Sequence, residues 1–332
     1  MSINGETHSV GPAIQAFREK ITTANRAFLN DRIDEIQKFD LPEPKKLQIA
    51  AHFWSKSVVW PFKKRDYDYQ TGYILDGKAL EEQRERENKV TSVEEVRTLW
   101  HPYFDGVKEP TLTDEKWRRV FIEELENVSN EKFDLFKEDG HVIKASPELD
   151  EFLQHADGIV DMDFRYWGIC GFELVPQRIL TPPDEDEIDD ALIHKWIRKN
   201  LEWKQFNEGE MDNLQLYDWD CKGGFETGRS KQENNWMWFS AYTYCRKTIE
   251  EGDDEKSPEH QWAWRVLFWN DAQIVGIDEQ VHAFEHFDEF LEWYSSWPGM
   301  VDLDGVRENM YGDEKYPSLF GDYTWESDEE KE

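Results

Sequence analysis

The segment Ser146–Gly158, SPELDEFLQHADG, decides the fold together with three aromatic runs that follow it. These are WMWFSAYTYC at 236–245, WAWRVLFWN at 262–270 and VHAFEHFDEFLEWYSSWPG at 281–299. Ser146 suits a helix N-cap, Pro147 the first helical position and Gly158 the exit. Leu149, Phe152, Leu153 and Ala156 recur at helical spacing, so that face should be buried. The last run predicts a helix with Phe284, Phe287, Phe290, Leu291 and Tyr294 inward. Glu285, Asp288, Glu289 and Glu292 then face water, and Pro298-Gly299 ends it. Trp236, Trp238, Ser240, Tyr242 and Tyr244 share one face of a strand, with Met237, Phe239 and Ala241 on the other. Both faces are largely apolar, as in an interior strand covered on both sides. Residues Trp262–Trp269 read as its hairpin partner across the acidic loop EEGDDEKSPE, and Asp220–Gly224 reads as a turn between strands. The expectation is an α+β fold, a central and mainly antiparallel sheet flanked by helices, with a helical N-terminal region.

Over about residues 133–297 the chain resembles the SUKH superfamily, the fold of fungal cell-wall-synthesis regulators and bacterial toxin-immunity proteins. The resemblance rests on ELDEFLQHADG leading into YWGICGFELVP, and on the phenylalanine-rich AFEHFDEFLEWY near the end. Asp157-Gly158 stands where many members carry Asn-Gly. What it implies is a non-catalytic fold that grips another protein. Bacterial relatives neutralise toxins, often nucleases, and fungal ones act in wall growth and signalling. The length and the long acidic loops resemble a fungal-type member more than a compact immunity protein.

N-terminal to this unit, the pattern predicts a helix from Pro12 carrying Ile14, Phe17, Ile21, Ala24 and Phe28, continuing through Ile33 and Ile36. Pro42 and Pro44 break it before a short helix with Leu47, Ala50, Ala51 and Trp54. Val58–Trp60 and Tyr73–Leu75 read as extended, and residues 78–90 as a charged helix. Ser92 and Glu95 form a capping-box pattern for a helix reaching Trp100. A further helix, capped from Thr113, carries Trp117, Val120, Phe121, Glu124, Leu125 and Val128. The division expected is residues 1–130 as a helical region packed on the core, 131–300 as the SUKH-like domain, and 301–332 as an irregular acidic tail.

A net charge of −33, from 72 acidic against 39 basic residues, opposes nonspecific binding to nucleic acid or anionic membrane. It favours a basic protein partner. With 14% aromatic residues and 16 tryptophans the chain has ample material for a core, unlike a disordered protein. Cys170, Cys221 and Cys245 have no metal-ligand spacing. No apolar leader follows Met1 and no run is long enough to span a bilayer, which leads us to expect an intracellular protein of cytoplasm or nucleus.

Catalytic signatures are weak. With so many carboxylates, pairs carry little information; Glu173, set among apolar neighbours in GFELVP, is the most distinctive, and strand alternation directs it to solvent. Asp157, Asp161 and Asp163 lack the order of a calcium loop, and Asp218 with Asp220 reads as a solvated turn. His282 and His286 lie four apart on the predicted closing helix without a third ligand. GxSxG is absent, and no GK[ST] follows Gly223-Gly224. We therefore expect no catalytic residue, metal or cofactor. Aromatics beside acidic turns suggest a contact surface formed by Asp157, Tyr166, Trp167, Trp219, Trp236, Trp238 and Tyr242, with Trp262 and Trp264 as further groove candidates. The function expected is protein binding without turnover. Two alternatives are a glycan-binding or glycan-acting protein with an aromatic groove and paired carboxylates, and an acidic nucleic-acid mimic.

Overall fold

The computed structural model describes residues 9–38, 40–47, 50–51, 90–99, 104–132, 142–159, 171–175, 190–205, 218–232, 235–270 and 281–300. The expectations for Trp54 to residue 89, Asp161, Asp163, Tyr166, Trp167, Cys170 and 301–332 lie outside them. The fold is α+β, and the described residues form two antiparallel sheets where one was expected. Helix α1 spans Val10–Gln37 and buries Val10, Ile14, Phe17, Ile21, Leu29, Ile33 and Ile36. Its stripe also includes Asn25, whose Nδ2 donates to the Phe104 carbonyl at 2.9 Å. Ser92 caps a single helical turn, α2 (Val93–Val96), which ends well before Trp100. The Glu95 carboxylate reaches back to the Thr91 N–H at 2.7 Å, closing a capping box one residue earlier than expected.

Next come strand β1 (Val107–Lys108) and helix α3 (Glu115–Lys132). Asp114, not Thr113, caps α3: its carboxylate accepts from the Lys116 N–H at 2.7 Å. Helix α4 (Pro147–His155) has Ser146 at its N-cap, and its predicted face, Leu149, Phe152, Leu153 and Ala156, is fully buried. Gly158 plays a different part from the exit residue expected. It belongs to strand β2 (Gly158–Ile159), paired between β1 and β3 (Phe172–Glu173).

Helix α5 (Asp190–Lys204) packs on α3 and leads to the larger sheet, β4 (Trp219–Gln232), β5 (Asn235–Lys247), β6 (Ala263–Asn270) and β7 (Val281–Phe284), in that order. Cys221–Gly224 is not a turn. It runs inside β4, with a bulge at Lys222 that absorbs one extra residue against β5. Strands β5 and β6 are interior, and both faces are buried as expected: Tyr242, Trp264, Val266 and Phe268 on one, Phe239, Ala241, Leu267 and Trp269 on the other. Helix α6 begins only at Phe287, because Phe284 ends β7, and it passes through Pro298-Gly299 to Met300.

Helix α6 closes the first face. Phe172 from the small sheet lies 6.0 Å from Phe152, 6.2 Å from Phe287 and 5.1 Å from Phe290 between ring centroids. Tyr242 stacks on Trp264 at 4.8 Å and on Phe287 at 5.6 Å. The N-terminal helix belongs to the same core, with Phe17 6.0 Å from Tyr294 and the Gly11 N–H bonded to Glu151 at 3.0 Å.

Two glycines let backbones approach. A Cβ on Gly228 would sit 1.9 Å from the Gly171 carbonyl oxygen, which also accepts from Ser240 Oγ at 3.0 Å. A Cβ on Gly158 would meet the Phe172 carbonyl oxygen at 2.3 Å. Because the obstacle is backbone in both cases, Gly228→Ala and Gly158→Ala should each cost about 1–3 kcal/mol or more. Urea unfolding followed by circular dichroism checks this; unchanged midpoints would contradict the close approach.

Candidate functional site

Among the described residues, two clusters of chemistry-bearing side chains emerge, one closed and one partly open. The closed one joins the small sheet to α5. Lys108 on β1 is ion-paired with Glu173 on β3, and the two side chains are only 4% and 8% exposed. Lys108 also donates to the Val175 carbonyl at 3.2 Å, while Lys204 at the end of α5 donates to the Glu173 carbonyl at 3.0 Å and stands 3.7 Å from its carboxylate. Glu173 thus points inward, contrary to the expectation of a solvent-facing carboxylate. That it lies across Gly158 from Lys108 could not be seen without knowing that β1 and β3 flank β2. Burial lowers the Lys204 ammonium pKa, and the Glu173 charge works against that shift.

Asp157 sits beside this pair, fully buried. Its carboxylate accepts from the Thr111 N–H at 3.1 Å and from the Thr111 hydroxyl, and its own backbone links Lys108 to Leu174 and Val175. Asp157 is therefore a joint of the small sheet and offers no surface to a partner. Desolvation raises its carboxyl to about 6, against the lowering effect of the Thr111 hydrogen bonds. A folded-state pKa above the unfolded one means that the ionised form destabilises the fold. That cost is absent below about pH 4, grows as pH rises through 6, and is then roughly 3 kcal/mol. Asp157→Asn should remove it, so the stability of the variant relative to wild type should fall as pH drops from 7 to 4.5. Denaturant unfolding at both pH values tests this difference, and a pH-independent difference would overturn it.

The open cluster lies at the end of the larger sheet where β4 begins, β5 ends and β6 begins. Trp262, just before β6, stacks with Tyr244 of β5 at 5.8 Å and 17°. Arg246 stands 4.9 Å and Lys222 5.1 Å from its ring centre. Alternation along β5 puts Tyr244 and Arg246 on one face, and the bulge places Lys222 within reach. Asp220 holds Arg246 in place with a hydrogen bond to Nε at 3.0 Å. Trp219 belongs to the opposite face, where the Arg265 guanidinium lies 6.0 Å from its ring. Arg265 is itself pinned by the Pro258 carbonyl at 2.8 Å and by Glu285 at 3.1 Å. The loop between β5 and β6 then exposes Glu250, Glu251, Asp253, Asp254 and Glu255.

Of the seven residues expected to form a contact surface, only Trp219 is placed at this partly open end. Tyr242 is 2% exposed and part of the core, so like Asp157 it cannot be a contact residue, and burial raises its phenol pKa. Tyr166 and Trp167 lie outside the described residues. Trp236 and Trp238 belong to β5, opposite Lys231 and Ser230, at the far end from Trp262. Sequence reasoning missed Lys222, Tyr244, Arg246 and Arg265. The i, i+2 spacing of Tyr244 and Arg246, facing that of Trp262 and Trp264, was the available signal. The two histidines do not share a helix: His282 is on β7, and His286 precedes α6 with Nδ1 2.5 Å from Glu148. No cluster of three or more His, Cys, Asp or Glu suited to a metal ion occurs among the described residues. Nor is any described helix long and apolar enough to cross a membrane. In comparisons with known proteins, no family model, no curated protein and no solved structure matches the chain.

Proposed function

We propose that this chain is a non-catalytic protein-interaction protein of SUKH type, acting inside the cell in cytoplasm or nucleus. Its contact surface is the end of the larger sheet around Trp262. The observation that carries this reading is the aromatic stack of Trp262 on Tyr244, braced by Arg246 and Lys222 and bordered by the exposed acidic loop. Aromatic and arginine side chains anchored in place are the usual hot spots of protein interfaces, since their geometry is set before binding. The acidic loop and the net charge of −33 would steer a basic partner toward them. The SUKH assignment draws support from the capped α4, the antiparallel sheet and the phenylalanine-rich α6 docked on it. The buried carboxylates support a binding role as well, because Glu173 and Asp157 are engaged with Lys108 and Thr111 and hold strands together. A sugar-stacking groove would need a free indole face, whereas Trp262 has Tyr244 and two cations against it.

Affinity capture with the purified chain, washed across a salt series and repeated with Trp262→Ala, tests the reading. A basic protein held by the wild type and shed as salt rises is expected, because screening shortens the reach of the charges. The variant should bind it about 10- to 100-fold more weakly while keeping its circular dichroism spectrum. Equal retention by the folded variant removes Trp262 from the interface and the reading with it.

A further inference from the structure

We propose that Cys221 and Cys245 form a cross-strand dithiol that closes reversibly to a disulfide, taking a small-molecule disulfide such as glutathione disulfide as its oxidant. The two residues are direct partners in the antiparallel register of β4 and β5. Residues opposed in this way have Cα atoms about 4.5–5.5 Å apart, inside the range a disulfide spans. Alternation places Cys245 with Thr243 and Ala241 on the face away from Tyr244, and the two thiols share a hydrogen bond with each other. Thr243 bonds to Cys221 as well. Both sulfurs are free thiols in this structure, Cys245 buried and Cys221 partly exposed.

That difference sets the order of events. Cys221 loses its proton to solvent and its thiolate attacks one sulfur of glutathione disulfide. The S–S bond of the oxidant breaks, and one glutathione leaves as a thiolate that takes up a proton. Cys245, deprotonated in turn, attacks the Cys221 sulfur of the mixed disulfide and expels the second glutathione. The protein dithiol is oxidised by two electrons, and one glutathione disulfide becomes two glutathione thiols. The hydrogen bond that the Cys221 thiol gives to Cys245, and then its burial, both push that thiol up, so little thiolate is present at neutral pH and the exchange is slow. Paired cysteines inside a cell are more often redox-responsive than permanent staples. The bond would tie β4 to β5 at the bulge, where Lys222 and Arg246 reach Trp262 on the opposite face, and so would set how firmly that platform is held.

The test uses the full chain carrying Cys170→Ser, which leaves the two cysteines of interest as its only thiols. It is equilibrated with glutathione disulfide, alkylated, digested without reductant and mapped by mass spectrometry. Expected is a linked peptide pair containing Cys221 and Cys245, lighter by two hydrogens than the separate peptides and split by dithiothreitol. The oxidised protein should also unfold several degrees higher than the reduced one, and Cys221→Ser should abolish both changes. A stable glutathione adduct on Cys221 beside an alkylatable Cys245 would overturn the proposal, since the partner thiol would then be out of reach. Two alkylatable thiols after equilibration would overturn it equally.

Discussion

Replacing Glu173 with alanine is expected to destabilise the protein by about 3–5 kcal/mol, because it leaves the Lys108 ammonium buried without its ion-pair partner. Lys108 keeps its hydrogen bond to the Val175 carbonyl, and Lys204, partly exposed, keeps its contact with the residue 173 backbone. The same loss should appear with Glu173→Gln, which preserves shape and removes charge. Changing both members of the pair at once, Lys108→Met with Glu173→Leu, should restore most of the stability. Neither residue is then a buried orphan, and two desolvated charges have become apolar volume. Urea unfolding of Lys108→Met, Glu173→Leu and the double variant, with the wild type, closes the cycle. If the double variant were as unstable as the sum of the singles, the pair would not act as a unit, and the buried bridge between β1 and β3 would have to be abandoned.

The second large effect belongs to Phe172. Its ring is fully buried and touches Phe152 of α4 together with Phe287 and Phe290 of α6, so it joins the small sheet to both helices. Phe172→Ala should cost about 3–5 kcal/mol, the sum of lost transfer energy and the cavity left among three rigid rings. Phe172→Leu should cost clearly less, since it refills most of the volume and loses chiefly the edge-on ring contacts. Thermal unfolding ranks the three proteins, with wild type highest and alanine lowest. Equal losses for leucine and alanine would mean that ring geometry rather than filled volume governs the site.

Much of this architecture was legible in the residue pattern, for identifiable reasons. Ser146-Pro147 and the spacing of Leu149, Phe152, Leu153 and Ala156 encode α4 locally, through a cap and a period of 3.6. The apolar and aromatic residues on both faces of 236–245 mark an interior strand, because only burial on both sides repays them. Errors clustered where a local signal has two readings. Gly158 and the Gly223-Gly224 pair looked like chain breakers, yet each lies inside a strand, and a Cβ at Gly158 would strike a neighbouring backbone. Pro298 looked like a stop, yet α6 runs on to Met300.

The candidate site was far less legible. Trp219 and Trp262 stand out in the sequence, but Tyr244, Arg246 and Lys222 do not stand out as companions of Trp262, and Asp157 and Tyr242, expected at the surface, are both buried. What the sequence by itself determined is the local part: which segments are helical or extended, which face of each is apolar, and how acidic the surface must be. Those properties follow from short-range periodicity, capping and charge, all of which act within a few residues. Only the tertiary structure decided which segments meet. Lys108 and Glu173 are 65 residues apart, and Gly11 and Glu151 are 140 apart. Such pairs form because packing two sheets and their helices together brings them into one place, and no local periodicity records that meeting.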